Sequence, residues 1–228
     1  MSTTEHLLPS GSGAEPMAIR GRFLSFEGTD GCGKSTQMRF LAAKLRAEGQ
    51  DVLESAEPGG TRIGLQIRSI LLDSANQELS PTAELLLYFA CRAQNVDEWI
   101  LPAMERGTTV LSDRFTDSTL AYQGAARGLG RDVVMTIHAI ACRGLLPDLT
   151  IYLDIDLNTS LERAHARNRL IDGKDERRMD EQAVEFHHRV RQEYLKLAEM
   201  EPCRIKVIDG RADRKTVAAR IWEAVHRV

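Results

Sequence analysis

The chain has 228 residues and a formal net charge of −3, and 43% of its residues are hydrophobic while 28% are charged. These values are typical of a globular chain of about one domain, and they give no indication of a nucleic-acid surface. No apolar run is long enough to span a bilayer, so we expect neither a nucleic acid nor a membrane as a partner.

The N-terminal segment, residues 1–20, is rich in small and polar residues and lacks the basic start and apolar centre of a secretory signal. We therefore predict a disordered tail there, followed by one folded domain over residues 21–228. The four cysteines are widely scattered and show no metal-ligand spacing. This distribution predicts reduced thiols in a cytoplasmic protein.

The first predicted strand, RFLSFE at 22–27, leads into the stretch GTDGCGKST at 28–36. That stretch fits G-x-x-x-x-G-K-[ST], in which the glycines allow backbone N–H groups to surround phosphates. Lys34 would bind the β- and γ-phosphates, and Ser35 would bind magnesium. Apolar residues then recur at helical spacing as far as Gly49, which places a phosphate at a helix N-terminus. The alternative is a surface turn that matches by chance, but the flanking strand and helix favour a phosphate loop.

Apolar strands continue to alternate with amphipathic helices along the rest of the chain. The further predicted strands are 51–55, 108–112, 149–153 and 204–208, and the predicted helices are 62–73, 81–106 with a break near Pro102, 131–143, 158–167, 180–200 and 212–227. Strands separated by helices form parallel sheets. We therefore predict an α/β fold of three layers, a five-stranded parallel sheet flanked by helices.

Polar clusters follow the carboxyl ends of the predicted strands, where ligands of such sheets bind. After the strand TTVLS, Asp113 is placed to act on magnesium, and Arg114 to bind a second phosphate in a bidentate fork. A solvated surface ion pair is the alternative. Tyr88 and Arg92 lie one helical turn apart, which indicates a base pocket in which the ring stacks and the guanidinium donates. A core position is the alternative for the tyrosine.

The segment from 163 to 178 is dense in charge and is interrupted by Gly173, which is typical of a flap between two helices. We place a short lid at about 167–179. Arginines in such a lid suit phosphoryl transfer, because the transition state gathers negative charge on the transferred oxygens. A solvated charged loop is the alternative.

With these residues the chain resembles the bacterial thymidylate kinases, a family of P-loop nucleoside-monophosphate kinases. The matching segments are FEGTDGCGKSTQ at 26–37, EPGGT at 57–61, LLLYFACRAQ at 85–94, SDRFTDSTLAYQGAARGL at 112–129, PDLTIYLDI at 147–155 and ERRMDEQ at 176–182. The resemblance implies a P-loop NTPase fold with a short lid, and phosphorylation of dTMP to dTDP by ATP with Mg²⁺ in dTTP biosynthesis. It also implies a homodimer whose partners are the small nucleotides dTMP and ATP.

The resemblance implies a role for each matching residue. The ATP-binding set is Gly28, Thr29, Asp30, Gly31, Cys32, Gly33, Lys34, Ser35 and Thr36. The dTMP-binding set is Glu57, Tyr88, Arg92, Arg114, Thr119, Tyr122 and Gln123. Magnesium would be held by Ser35 and Asp113, and the catalytic set is Lys34, Asp30, Arg114, Arg167 and Arg178. Within these sets Asp30 would lie near the acceptor 3′-hydroxyl, and Tyr88 would stack on thymine.

Three departures from the family pattern bear on function. Ala56 stands where many members have arginine before EPGGT, so one acceptor-side cation is either missing or supplied by Arg62 or Arg68. QGAARG replaces the common QGGGRG, so the flexibility of this loop near Arg127 is expected to differ. The phosphate loop has no arginine at Gly31, which resembles the class that delivers its catalytic arginine from the lid; the candidates are Arg167, Arg169, Arg177 and Arg178.

Three other functions stay open at this point, the last of them a regulatory GTPase-like switch. The first is a kinase for another pyrimidine monophosphate, and the second is a non-catalytic P-loop module that only binds nucleotides. A GTPase-like switch would carry a guanine-reading N-K-x-D motif, which the sequence lacks.

Overall fold

The structure, a computed structural model, describes residues 20–160, 162, 178–179 and 181–226. Its sheet has five parallel strands in the order β2-β3-β1-β4-β5. The strands are β1 (Phe23–Glu27), β2 (Val52–Ala56), β3 (Thr109–Asp113), β4 (Leu149–Asp154) and β5 (Ile205–Asp209). The predicted five-stranded parallel sheet is therefore confirmed, and each strand lies within one or two residues of its predicted position.

Helices cover both faces of this sheet. They are α1 (Lys34–Ala47), α2 (Arg62–Leu72), α3 (Pro81–Asn95), α4 (Leu101–Glu105), α5 (Thr116–Thr119), α6 (Arg131–Ala141), α7 (Val184–Met200) and α8 (Arg214–His226). Residues 157–160 and 162 are also helical, while the rest of the predicted helix 158–167 lies outside the described residues. Within the described part of the chain, no helix combines the length and apolarity that crossing a membrane requires.

The core has two halves because alternate residues of a strand face opposite sides of the sheet. Phe23 of β1 packs on one side with apolar residues of α3, α6 and α7. Leu24 and Phe26 pack on the other side with residues of α1 and α8. Three layers result, as the alternation of strands and helices predicts.

The long helix predicted over 81–106 differs from the expectation in the position of its break. The chain widens into a π-helical turn at Val96–Ile100, and α4 continues from there through Pro102. Proline cannot donate a backbone hydrogen bond, and its ring crowds the carbonyl four residues earlier. A widened turn immediately before Pro102 relieves that crowding, so the break precedes the proline.

One helical region has no counterpart among the predicted elements. The chain is helical through α5 and then π-helical over Leu120–Ala126. Nearly every residue of this region is buried, and the polar residues Thr116 to Thr119 are as buried as their apolar neighbours. An element that is buried on all sides shows no periodic contrast between polar and apolar residues, which is the signal that sequence patterns provide.

Candidate active site

The phosphate loop, residues 28–33, connects the central strand β1 to the first turn of α1. Gly33 has a φ of 103° and precedes the helix, a conformation that side chains disfavour. Gly28 packs so closely that an added Cβ would lie 2.7 Å from the carbonyl oxygen of Leu153. Lys34 is only 6% exposed, and its Nζ donates to the carbonyl oxygens of Gly28 and Thr29 at 3.0 Å each. The ammonium group of Lys34, the predicted phosphate-binding cation, therefore lies inside the phosphate loop.

The predicted metal ligands meet at the edge of this loop. Ser35, in the first turn of α1, donates its hydroxyl hydrogen to Asp113 Oδ2 at 2.6 Å. Asp113 ends β3, which pairs with β1, so the strand order places its carboxylate beside the loop. A hydroxyl and a carboxylate are oxygen ligands of the kind that Mg²⁺ prefers. The donor set therefore fits the predicted ion.

Arg114 brings three predicted site residues together. Its Nη2 donates to Asp30 Oδ1 at 3.1 Å and to the hydroxyl of Tyr122 at 3.3 Å. Its guanidinium also lies 5.0 Å from the centre of the Tyr122 ring. A fixed positive charge therefore stands between the phosphate loop and the helical region that follows β3.

A second arginine lies deeper in the fold and binds two more of the predicted site residues, Glu57 and Thr119. Arg92 of α3 is 1% exposed, and its Nε donates to the carboxylate of Glu57. Its Nη1 donates to Thr119 Oγ1 at 2.8 Å and its Nη2 to the carbonyl oxygen of Phe115 at 3.2 Å. These contacts hold the guanidinium plane in one orientation, which is what recognition of a base edge requires.

Asn95 supports this arginine and was missed by the sequence analysis. Its Nδ2 donates to Glu57 Oε1 at 3.1 Å and to Ser55 Oγ at 2.9 Å. The signal was available, because Asn95 lies three residues after Arg92 on the same helix and is a polar residue at a fully buried position. The role of Asn95 becomes clear only from the fold, which places Glu57, just after β2, within hydrogen-bond distance of it.

Tyr88 lies one turn before Arg92 and is half-buried, so it is not a simple core residue. Burial, followed by the negative charge of Glu84, raises the pKa of the Tyr88 hydroxyl to about 12. The ring is therefore neutral at ordinary pH. It presents an uncharged aromatic side chain near the buried arginine.

Gln123 belongs to a cluster built around one carboxylate, that of Glu84. Glu84 Oε1 accepts from Gln123 Nε2 at 2.8 Å and from Arg127 Nε at 3.2 Å. Its Oε2 accepts from Arg127 Nη2 at 3.1 Å and from Arg178 Nη1 at 2.7 Å. Burial raises the pKa of Glu84, but the hydrogen bonds from Arg127 and Gln123 and the charges of both arginines outweigh burial, so the pKa is lowered overall.

This cluster shows where the chain places Arg178, one of the predicted catalytic arginines. Arg178 is 1% exposed, and besides Glu84 it binds the carbonyl oxygens of Leu71 through Nε and of Leu72 through its backbone N–H. The other three lid candidates, Arg167, Arg169 and Arg177, lie outside the described residues, as does the tail over 1–19. These contacts hold Arg178 against Glu84 and the end of α2.

Arg62 and Arg68, the two candidates to supply the cation that Ala56 lacks, differ in their position relative to the loop 57–61. Arg68 is half-buried and its Nη1 donates to the carbonyl oxygen of Pro58 at 2.8 Å, whereas Arg62 is exposed. Of the two candidates to replace the missing arginine, Arg68 is therefore the one that contacts this loop.

Glu27, the last residue of β1, was given no role by the sequence. It is fully buried, and its carboxylate accepts from the backbone N–H of Phe115 and from the hydroxyls of Ser118 and Tyr194. Burial, followed by the charge of Asp117, raises the pKa of Glu27 to about 7 against the lowering effect of Ser118, Arg114 and Tyr194.

Comparison with known proteins agrees with this geometry. A family model described as thymidylate kinase matches residues 26–221. The chain is 49% identical over 190 residues to a thymidylate kinase of Pelobacter propionicus, which covers 83% of this chain and 87% of that relative. It is 48% identical over 203 residues to a thymidylate kinase of Trichlorobacter lovleyi, with 89% and 96% covered. A crystal structure of thymidylate kinase from Ehrlichia chaffeensis matches with a TM-score of 0.73 at 27% identity, over 90% of this chain and 99% of that chain.

Proposed function

The chain belongs to the thymidylate kinase family, and from that premise we propose which of its residues carry out the reaction. It is an ATP-dependent dTMP kinase, a transferase that converts dTMP into dTDP. One observation carries the assignment of residues: Arg114 contacts Asp30 of the phosphate loop on one side and Tyr122 on the other. Donor and acceptor phosphates would meet at this arginine.

The chemistry requires positioning and positive charge more than proton transfer. An oxygen of the dTMP phosphate is already anionic, so no general base is needed for attack on the γ-phosphorus of ATP. Lys34 and the backbone of residues 28–36 would bind the ATP phosphates, and Arg114 would hold the acceptor phosphate in line. Asp30 would bind the 3′-hydroxyl of dTMP, and its ion pair with Arg114 sets the distance between sugar and phosphate sites.

Ser35 and Asp113 would hold Mg²⁺, directly or through water. When bound, the ion neutralises charge on the phosphates of ATP. The hydrogen bond between these two side chains keeps both oxygens at the mouth of the loop.

The thymidine part of the acceptor would lie among the residues that Arg92 organises. Tyr88 would stack on the base, while Arg92 would donate to an acceptor atom on its edge with Glu57 and Thr119 holding the guanidinium. Gln123 lies nearby through its bond to Glu84. Tyr122 would stand against the sugar and disfavour a 2′-hydroxyl, which selects deoxyribose.

The lid over about 167–179 would supply the catalytic arginine and exclude water. The ion pair between Arg178 and Glu84 supports an anchoring role for Arg178. Arg167, Arg169 and Arg177 are then the stronger candidates for contact with the transferred phosphoryl group. The kinase domain as a whole is proposed to span residues 21–228.

We also propose a homodimer in the cytoplasm. Helices α3 and α6 expose Leu86, Val133 and Ile140, the last of them 80% exposed, and together they would form an apolar face for a second copy. All four cysteines are free thiols, which suits a reducing compartment. Sedimentation of the purified chain at several concentrations tests the oligomeric state.

Replacing Lys34 with alanine tests the assigned site. We expect Lys34→Ala to fold normally and to lose about 100-fold or more in kcat in a coupled ADP-release assay, because one preorganised charge is removed from the transition state. Lys44→Ala is the matched control, since Lys44 lies on the same helix but contacts the ring of Trp222. Near-normal turnover of Lys34→Ala would contradict the assignment, and running dTMP, dUMP, dCMP and dGMP in parallel reports which acceptor is preferred.

A further inference from the structure

We propose that Glu27, together with Ser118 and Tyr194, positions Arg114 for the acceptor phosphate. The Glu27 carboxylate accepts hydrogen bonds from Phe115, Ser118 and Tyr194, so it acts through Arg114 as a positioning residue. The proposal rests on the function proposed above for Arg114. It explains the orientation of the Arg114 side chain.

The backbone of Arg114 is the first part of the argument. Its φ of 76° lies in the left-handed region, which an arginine adopts only when its surroundings impose it. On one side its N–H donates to the carbonyl oxygen of Phe26 at 2.9 Å, and its own carbonyl oxygen accepts from Ser112 Oγ at 2.7 Å. On the other side the next N–H, that of Phe115, donates to Glu27 Oε1 at 2.7 Å. The Glu27 carboxylate therefore holds the peptide that follows the strained residue.

The guanidinium of Arg114 is held by the same group. Its Nη1 donates to Ser118 Oγ at 3.1 Å. Ser118 Oγ donates in turn to Glu27 Oε2 at 2.5 Å and lies 2.8 Å from the hydroxyl of Tyr194. That hydroxyl is also 2.8 Å from Glu27 Oε2. One carboxylate thus fixes both the main chain and, through Ser118, the side chain of Arg114.

The charges that face Glu27 explain why its state matters. Arg114 and Arg92 are the cations that interact with it, and Asp117 is the neighbouring anion. Asp117 is itself bound to Arg204 at 2.7 and 2.9 Å. Among the residues that the structure describes, no arginine is bonded directly to Glu27, and its hydrogen-bond donors there are an amide and two hydroxyls. Burial raises its pKa to about 7. An ionised carboxylate binds such donors more strongly than a neutral one does, so the hold on Arg114 tightens as pH rises.

Tyr194→Phe is the first test, because it removes one hydroxyl and leaves the ring in place. The Tyr194 ring stacks on Tyr152 with centroids 4.7 Å apart, and Tyr152→Phe is the matched control, since its hydroxyl contacts Asp154 instead of Glu27. We expect Tyr194→Phe to raise the KM for dTMP about five-fold, the equivalent of one hydrogen bond, with the KM for ATP unchanged. We expect Tyr152→Phe to leave both KM values unchanged.

Glu27→Gln provides a readout that a purely structural role would not move. The ratio of the KM for dTMP of this variant to that of the wild type should be near one at about pH 6 and rise about five-fold by about pH 8.5. Thermal unfolding of each variant confirms that it is folded at the assay temperature. A ratio that stays constant with pH, or a Tyr194→Phe variant whose KM for dTMP equals that of Tyr152→Phe, would overturn the proposal.

Arg114→Lys separates this proposal from the function on which it rests. An unchanged KM for dTMP in Arg114→Lys contradicts the role of Arg114 itself, and the positioning proposal with it. A raised KM in Arg114→Lys together with wild-type values in Tyr194→Phe and Glu27→Gln overturns only the positioning role. A KM for dTMP that is raised in Arg114→Lys, Tyr194→Phe and Glu27→Gln supports both roles, provided that the KM ratio of Glu27→Gln to wild type rises with pH.

Discussion

Two carboxyl groups in this enzyme are buried to the same degree, and yet their pKa values are shifted in opposite directions. Glu27, at the end of the central strand, and Glu84, on α3, are both 0% exposed. The pKa of Glu27 is raised to about 7, whereas that of Glu84 is lowered. Burial is the largest single influence on each of them, and it raises both.

The partners of the two groups account for the difference. Glu84 is bonded directly to the guanidinium groups of Arg127 and Arg178, while the direct partners of Glu27 are an amide and two hydroxyls. Desolvation favours the neutral form of a carboxyl group, and at Glu84 the hydrogen bonds from Arg127 and Gln123 and the charges of both arginines reverse that preference. Glu84 is therefore an anion at neutral pH that joins three segments of chain, and Glu27 is a group whose charge changes near neutral pH.

The largest test of this contrast is Glu84→Gln, which keeps the shape of the side chain and removes its charge. Arg178 would then be a buried cation without a counter-ion, and losing one partner of a buried ion pair costs roughly 3–5 kcal/mol. We expect the free energy of unfolding, measured by urea denaturation, to fall by that amount. The part of the pH dependence of stability that comes from Glu27 should keep its sign in this variant.

Glu54→Gln is the matched control for this variant. Glu54 pairs with Arg46 at 2.7 Å, but the arginine side chain is 49% exposed. Surface ion pairs contribute at most about 1 kcal/mol, so this change should be nearly silent. If Glu84→Gln and Glu54→Gln lowered stability equally, Glu84 would not be the buried anion that its contacts indicate.

Glu27→Gln sharpens the comparison by its dependence on pH. The pKa of Glu27 rises from an ordinary value of 4.5 to about 7 on folding, so the folded state binds more protons than the unfolded state in that window. Wild-type stability relative to Glu27→Gln should therefore fall by roughly 3 kcal/mol as pH rises through the window. Urea midpoints of both proteins at about pH 5 and about pH 8 measure this difference.

Glu84 has the opposite sign, and it stays ionised in both proteins at both of these pH values, so it does not contribute to the measured difference. Its folded pKa is lowered, so its contribution to stability is present above the ordinary value and is lost as pH falls through the folded pKa. A wild-type stability that differed from that of Glu27→Gln by the same amount at both pH values would contradict the assigned titration of Glu27.

The sequence predicts the strands and the phosphate loop of this enzyme better than it predicts the contacts of Glu27 and Glu84. Each strand is a short apolar run between turn residues, and the phosphate loop is a local motif, so nearby residues carry all the necessary information. Parallel pairing then places the carboxyl ends of β1 and β3 side by side, as the meeting of Ser35 with Asp113 confirms.

The contacts of Glu27 and Glu84 carry no such local signal. The partners of Glu84 lie 39, 43 and 94 residues away along the chain, and Tyr194 lies 167 residues from Glu27. A glutamate that ends a strand or begins a helix is common on protein surfaces. Only the packing of the buried region after β3, which has no periodic pattern, shows that these two glutamates are inside.

The smallest expected effect comes from Arg127→Lys, which tests whether the geometry of the Glu84 cluster matters as well as its charge. Arg127 reaches Glu84 through Nε and Nη2 together, and through Nη1 it reaches Gln182 at 2.9 Å. Lysine keeps the positive charge but cannot form this fork, so we expect a loss of about 1.5 kcal/mol in the free energy of unfolding.

The same variant should also move the pKa of Glu84 upward, because a hydrogen bond from Arg127 is the largest influence that lowers it. Loss of stability in acid would then begin at a higher pH than in the wild type. Arg131→Lys is the control, since that arginine approaches Glu201 only to 3.7 Å at the surface and should change stability by less than about 0.5 kcal/mol. Equal effects of the two substitutions would mean that charge alone, without the fork, keeps Glu84 ionised.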